Sequence, residues 1–402
     1  MKLAIVSDLH IGYERFEEDA RRQAEEALIA ASEEADAILI PGDVFDKRAP
    51  KPEVIAQAIN IFREISRREW KAKVVDFRNK NGEIAHTRVP IIAIPGTHER
   101  VAEGKDNVLK LLALAGLIVD VSESTAVLQM GEEKVAVFGL GGVSEERARD
   151  TLERLNPQPI NGAFNIFMLH QSIYELLPFS NDIIKYSELP NGFDLYVNGH
   201  IHSTVEAMVH GKKFLIPGST VLTQLKDGEQ GAKGFILFDT HDSSHKFRPI
   251  KSRLFVCSSI KFAEATPKDV VQRCEFEIEK VLLGKSDKPI IRLKLEGTIA
   301  KGFTNADMPI RNLGLRYASK VFLEIDSSKL KSPDSEKSIE ELRGGLVEGM
   351  SIKELGMSTF NTKLKEHKID GAIDIGRLFD ILSSGASKEK IIKQATELLE
   401  EH

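Results

Sequence analysis

The chain has 402 residues, of which 42% are hydrophobic and 29% charged, with 29 Gly and 15 Pro. That composition excludes a disordered, collagen-like or fibrous chain, and the length predicts two or three domains, each able to bury its own core. Lys and Arg total 55 against 61 Asp and Glu, a net charge of -6, which excludes a basic nucleic-acid coat but not an enzyme that grips nucleic acid through local patches. The stretch Met1–His10 lacks the apolar core of a signal peptide, and no run approaches the roughly 20 apolar residues of a membrane span. Two cysteines, Cys257 and Cys274, make no disulfide framework, so the expected setting is a reducing cytoplasm, away from membranes.

Short apolar runs ending in turn residues come first. They are Leu3–Val6 before Ser7-Asp8, Ala37–Ile40 before Pro41-Gly42-Asp43, and Ile91–Ile94 before Pro95-Gly96. Val135–Phe138, Asn165–Leu169, Leu195–Val197, Phe214–Ile216 and Phe235–Phe238 follow the same rule. Runs bounded this way read as buried strands. Helical patterns separate the first few, over 17–35 and over 53–69, where Val54, Ala58, Ile61, Phe62 and Ile65 share a face. The alternation predicts an α/β domain over residues 1–250 with right-handed crossovers. The later strands crowd together, so part of the sheet is expected to be mixed or antiparallel.

Strand-like runs at Leu254–Ile260, Ile290–Leu295 and Val321–Ile325 surround a helical stretch at 267–283, predicting a small α+β domain over 251–330. The polar stretch Ser327–Ser338, with Pro333, opens a linker that is expected to run over 331–364. Residues 365–402 read as a helical tail. One helix holds Ile373, Leu378, Phe379 and Leu382; another, capped by Ser387, holds Ile391, Ile392, Ala395, Leu398 and Leu399.

The predicted strand ends deliver Asp8 and His10, then Asp43, then His98-Glu99, then His170, then His200 and His202. Sites in α/β sheets form at the carboxyl ends of strands. In extended chain, residues two apart share a face, so Asp8/His10 and His200/His202 are expected to converge. Gly42, Gly96 and Gly199 leave room there for tight turns, a metal and a phosphate. Mixed imidazole and carboxylate donors suit Mn, Fe or Zn, and so many of them exceed the needs of one ion. A two-metal site is expected, with Asp43 as the bridging carboxylate, acidifying a water and neutralising phosphate oxygens.

At this point the sequence resembles a known family. Asp8-x-His10, Gly42-Asp43, Gly96-Thr97-His98-Glu99, His170 and Gly199-His200-Ile201-His202 are similar to the calcineurin-like metallophosphoesterases over the first 250 residues. The longer runs Pro41–Asp46, Ile94–Arg100, Phe193–His202 and Ile216–Ser219 resemble the meiotic-recombination-eleven and SbcD type of double-strand-break repair nuclease. The resemblance implies a sandwich of sheets flanked by helices, a DNA-binding cap, and a tail that grips the coiled-coil root of an SMC-like ATPase. It implies two Mn ions, one on Asp8, His10, Asp43 and His202, the other on Asp43, His170 and His200. His98 would be catalytic, protonating the leaving oxygen or steadying the phosphate. Thr97 stands where the family carries a ligating Asn; a hydroxyl is a shorter, poorer donor, so a weakened second metal site is implied. Asp46 is given no catalytic role.

Residues 61–89 are locally basic: Arg63, Arg67, Arg68, Lys71, Lys73, Arg78, Lys80 and Arg88 outnumber Glu64, Glu69, Asp76 and Glu83, with Trp70 and Phe77 interleaved. Arg67, Arg68, Lys71 and Lys73 are candidate DNA contacts, with ordinary surface charge the equal alternative. Lys261, Lys268 and Arg273 are further basic candidates within the cap domain. A homodimer is expected from the family, with Ile59, Ile61, Phe62 and Ile65 as candidates for its interface, burial against the sheet being the equal alternative. The expected activity is Mn-dependent 3'-5' exonuclease and single-strand endonuclease hydrolysis of DNA. The alternatives are another phosphodiesterase or phosphatase of the superfamily, or a DNA-end-binding scaffold with weak catalysis.

Overall fold

A computed structural model describes residues 1–78, 89–102, 104–177, 183–283, 287–332, 375–382 and 388–400, with a few positions between 351 and 361. It divides into two compact units: Met1–Cys257 with Lys285–Ile291, and Ser258–Gly284 with Arg292–His402.

The first unit holds two sheets. Strands β1 (Lys2–Ile5), β2 (Ala37–Pro41), β4 (Ile91–Ile94) and β5 (Val119–Asp120) run parallel. With β12 (Gly234–Asp239) and β13 (His245–Pro249) antiparallel at one side, they form a sheet of order β13-β12-β1-β2-β4-β5. The second sheet has order β10-β11-β9-β8-β7-β6-β3. Its parallel centre is β7 (Glu133–Leu140), β8 (Phe164–Leu169), β9 (Leu195–Asn198) and β11 (Lys212–Ile216). β10 (Val205–Val209), β6 (Ser124–Met130) and β3 (Lys73–Arg78) join it antiparallel. Both sheets are therefore mixed.

Side-chain alternation builds the layers. Along β1 and the residue after it, Leu3 and Ile5 face one way and Ala4 and Val6 the other; in β8, Ile166 and Met168 oppose Phe167 and Leu169. Leu3, Ile5, Leu39, Ile92, Ile166, Met168 and Val197 pack together between the sheets. The outer face of the first sheet packs on α1 (Glu17–Glu34), α2 (Pro52–Ser66) and α3 (Leu109–Leu114) through Ala24, Leu28, Phe62 and Leu112. The outer face of the second sheet packs on α4 (Glu145–Leu155) through Ala148 and Leu152. This is the expected α/β sandwich with helices outside.

This packing decides between several local readings. Ile61, Phe62 and Ile65 of α2 are buried and Ile59 packs against the same cluster, so of the two readings of that face it is burial against the sheet that is observed. Trp70 packs on the core and donates from Nε1 to the Ile65 carbonyl at 3.2 Å, while Phe77 lies between the sheets, so both interleaved aromatics are taken up by the core. Lys80, Glu83 and Arg88 lie outside the described residues.

The second unit has a three-stranded sheet, β14 (Phe255–Ala265), β15 (Ile290–Ile299) and β16 (Phe322–Lys331). Helix α5 (Pro267–Leu282) opens with a capping box between Thr266 and Asp269 and buries Val270, Cys274 and Ile278. Helix α6 (Ile310–Tyr317) buries Leu313 and Tyr317. β16 runs through Lys331, so Ser327–Lys331 is strand and not linker. The remaining linker residues 333–350, with Ile373 and Ser387, lie outside the described residues. Two tail helices are present, α7 (Ile375–Leu382) and α8 (Lys388–Glu400); they pack together and bury Leu378 and Leu398. No helix among the described residues is long and apolar enough to cross a membrane.

Candidate metal centre

The carboxyl ends of β1, β2, β4, β8 and β9 deliver the polar residues to one place. Three groups of ligand atoms lie within 4.8 Å of one another: Asp8, His10 and His202; Asp8, Asp43 and His170; and His10, Asp46 and His98. Asp8 belongs to two of these groups. Asp8, His10, Asp43 and His170 are all essentially buried.

Extended-strand alternation is not what aims them. Asp8, His10, Asp43 and His200 have φ of 51, 46, 51 and 71°, in the left-handed region that non-glycine residues rarely enter. Strain of this kind is retained where the surroundings over-determine the backbone. The turns around these residues also leave no spare room. A Cβ on Gly42, whose φ is 94°, would lie 2.2 Å from His170 Nδ1, and one on Gly96 would lie 2.2 Å from Asp43 Oδ1.

The imidazoles are oriented by their ring nitrogens. His170 Nδ1 donates to the Pro41 carbonyl at 2.7 Å, which turns Nε2 toward the ligand carboxylates. That Nε2 is buried and lies 3.2 Å from Asp43 Oδ2, but is misaligned for a hydrogen bond. His10 Nε2 and His202 Nε2 face each other at 3.2 Å, with Asp8 Oδ1 at 4.0 and 3.7 Å. His98 Nδ1 donates to the Asp46 carbonyl at 2.5 Å, leaving Nε2 outward on a ring that is 43% exposed. Thr97 Oγ1 sits 3.3 Å from His200 Nδ1.

The electrostatics pair a buried carboxylate with a buried imidazole. Burial opposes ionisation of Asp43, yet His170 beside it holds the carboxyl far below its usual range. Burial likewise opposes protonation of His170, but the Asp43 carboxylate outweighs it and lifts the imidazole to about 9. Burial and His170 push His200 down to about 4, the state of a neutral nitrogen donor. An orphaned, buried His170 Nε2 aimed at carboxylates, and opposed Nε2 atoms of His10 and His202 beside Asp8, suit divalent cations bound by nitrogen and oxygen.

Four further residues support the ligands, and of these Glu229 and Ser172 carried no legible sequence signal. Glu99 is fully buried and accepts from Phe45 N at 2.9 Å and Gly96 N at 2.8 Å, locking the two ligand loops; burial and then Asp43 raise its carboxyl. Asp46 Oδ1 lies 3.3 Å from His10 Nδ1, and its backbone holds His98. Glu229 accepts from Lys233 Nζ at 3.0 Å. Its carboxyl is held at about 2: burial opposes this, but His202 and Lys233 prevail, while desolvation lowers the more deeply buried Lys233. Ser172 Oγ meets His200 Nε2 at 3.0 Å. Carboxylates following no strand end, such as Glu229, become visible only through the fold.

The basic residues are elsewhere. Lys73 pairs with Gln129, Gln129 with Lys134, and neighbouring Val135 with Phe164 at the start of β8, whereas His170 follows its end. Arg67 is the C-cap of α2 and Arg68 pairs with Glu33 at 2.9 Å. A crossover helix leaving the ligand end of β2 finishes at the opposite end of the sheet. Arg67, Arg68, Lys71 and Lys73 are thus at the end away from the metal ligands. Beside His200 and His170 opens a cavity of about 360 Å³ that Thr97, Arg100, Glu145 and Ser172 also line.

An α/β/β/α sandwich whose parallel strand ends gather carboxylates and imidazoles around room for cations defines a metal-dependent phosphoester hydrolase. The calcineurin-like phosphoesterase profile matches residues 1–204, and the chain belongs to that family. Among curated relatives, the double-strand break repair protein MRE11 of Oryza sativa subsp. indica is 26% identical over 389 residues, covering 80% of this chain and 54% of that protein. The DNA double-strand break repair protein Mre11 of Sulfolobus acidocaldarius is 24% identical over 318 residues, covering 74% and 76%. The double-strand break repair protein MRE11 of Encephalitozoon cuniculi is 29% identical over 262 residues, covering 58% and 44%. The chain spans about half the length of the rice and Encephalitozoon proteins.

Proposed function

We propose that this chain is a Mn-dependent DNA nuclease of double-strand-break repair, with 3'-5' exonuclease and single-strand endonuclease activity, working beside an SMC-like coiled-coil ATPase. The observation that carries the reading is the convergence of Asp8, His10, Asp43, His170 and His202 at one set of strand ends, in a chain whose relatives are break-repair proteins. Asp8, His10, Asp43 and His202 would hold one ion and Asp43, His170 and His200 the second, with Asp43 shared between them. Bound divalent ions supply Lewis-acid polarisation of the phosphate and a strong oxygen nucleophile at neutral pH.

The chain's own groups do the rest. Hydrolysis joins a water oxygen to phosphorus and releases a sugar oxygen that needs a proton. His98 is placed to give it: Nδ1 is anchored on Asp46, and Nε2 is open on the outer side. The buried walls of Asp8, His10, Asp43 and His170 exclude bulk water from the inner side of the reacting phosphate. The tail helices are the segment offered to the ATPase.

The test is cleavage of plasmid and hairpin DNA, beside a small phosphodiester, in Mn. Cleavage of DNA lost in Asp43→Ala supports the reading. Turnover of the small ester alone shows a phosphodiesterase of another specificity, and undetectable cleavage with retained DNA binding shows a scaffold.

A further inference from the structure

Both histidines of His200-Ile201-His202 meet a side-chain hydroxyl, and each hydroxyl meets a carboxylate. Ser172 Oγ lies 3.0 Å from His200 Nε2 and bonds Glu145 Oε1. Thr223 Oγ1 bonds His202 Nδ1 and lies 3.3 Å from Glu229 Oε1. A hydroxyl has one proton to give, and an ionised carboxylate has none. Each hydroxyl therefore donates to its carboxylate and accepts from its imidazole. The ring proton is fixed on Nε2 in His200 and on Nδ1 in His202. The free lone pairs are then His200 Nδ1, which accepts from Thr97 Oγ1 at 3.3 Å, and His202 Nε2, which faces His10 Nε2 at 3.2 Å and Asp8 Oδ1 at 3.7 Å.

We propose that Glu145–Ser172 and Glu229–Thr223 are paired positioning relays that set opposite tautomers on His200 and His202, so that one loop presents Nδ1 to one cation and Nε2 to the other. The need is physical. A free neutral imidazole exchanges between tautomers, and a ligand in the wrong one presents N–H to the cation. Every such fraction is subtracted from the apparent affinity. The relays are built differently. Glu229 is clamped, accepting also from Gln224 N at 2.9 Å and Lys233 Nζ at 3.0 Å. Glu145 stands in the first turn of α4, where the helix N-terminus favours a carboxylate. The His202 relay is therefore the rigid one. The His200 relay, at the wall of the open cavity, is the adjustable one.

The inference rests on the metal reading of the site for its consequence but not for its tautomers, and the two are measured separately. Nitrogen chemical shifts of the full-length protein labelled with 15N-histidine, without metal, are assigned with His200→Gln and His202→Gln. The expected result is a proton on Nε2 of His200 and on Nδ1 of His202. Glu145→Gln gives the carboxamide a donor, so the Ser172 proton turns to His200 and its tautomer reverses, while His202 is unmoved. Mn titration by calorimetry then reads the consequence. Ser172→Ala weakens one of two sites by about 10–100-fold, the range for lost support of a ligating His, and Ser172→Thr restores it. A proton on His200 Nδ1 in the wild type, or no change in Glu145→Gln, overturns the relays even if the enzyme cuts DNA. The expected tautomers in a chain that binds no Mn would instead leave the relays standing and refute the metal reading.

Discussion

The backbone N–H of His98 donates to Asp43 Oδ1 at 2.8 Å. The proposed proton donor and a central carboxylate are thereby one unit, although 55 residues separate them in the chain. Their roles still separate chemically: Asp43 is buried 3.2 Å from His170 Nε2, whereas His98, grouped with His10 and Asp46, is anchored through Nδ1 on the Asp46 carbonyl and keeps its ring 43% exposed.

Asp43→Ala is expected to lose bound Mn and all DNA cleavage. His98→Ala is expected to keep both ions and lose about 10²–10⁴-fold in kcat, the usual worth of a positioned acid. Metal analysis beside single-turnover cleavage checks this. Loss of metal in His98→Ala would move that residue from proton transfer to ligation.

Gly42→Ala is expected to damage the site more than an ordinary surface change. The new Cβ meets His170 Nδ1, and a φ of 94° strains any side chain. A destabilisation of about 1–3 kcal/mol is expected from such backbone strain, together with weaker Mn binding. Thermal melts with and without Mn measure both; a wild-type melt and affinity would contradict the packing argument.

Cys274 tests the second unit. It is 1% exposed, and burial lifts its thiol to about 12. A pKa raised on folding favours the native state below the unfolded value of 9.0 and loses that contribution as pH climbs from there toward 12. Iodoacetamide at pH 8 is therefore expected to spare Cys274 in the folded chain and modify it in urea, as read by peptide mass spectrometry. Modification in the native protein would show that α5 does not bury it.

The basic group at the far end of the sheets yields a separation of effects. Alanine at Arg67, Arg68, Lys71 and Lys73 is expected to leave kcat on a short hairpin unchanged, because these residues stand opposite the ligand ends of β2 and β8. Any role in holding long DNA appears only as a shallower salt dependence of binding. A fall in kcat on the hairpin would place them in the reaction cleft instead.

Much of the centre was legible because strand periodicity and turn residues mark where chains emerge from a parallel sheet. Leu3–Val6, Ala37–Ile40 and Asn165–Leu169 announced both their strands and the ligands that follow. The short strand Val119–Asp120 and the helices Leu109–Leu114 and Ile310–Tyr317 carried too few periodic residues to stand out. Positive φ at Asp8 and His200 could not be read, since non-glycine residues enter that region only under tertiary constraint. Trp70 and Phe77 were legible only as aromatics among charges, a pattern that does not tell an exposed ring from one that plugs a core. Glu229 and Ser172 were silent because partners such as His202 and His200 lie on other segments, and only the fold brings them together.

The central claim is that these scattered carboxylates and imidazoles hold a pair of divalent ions. Anomalous diffraction at the Mn edge from Mn-soaked crystals measures it directly. The expected map has two peaks, one bounded by Asp8, His10 and His202, the other by Asp43, His170 and His200. A map with no peak among these residues, or with Mn bound only elsewhere on the chain, would contradict the account.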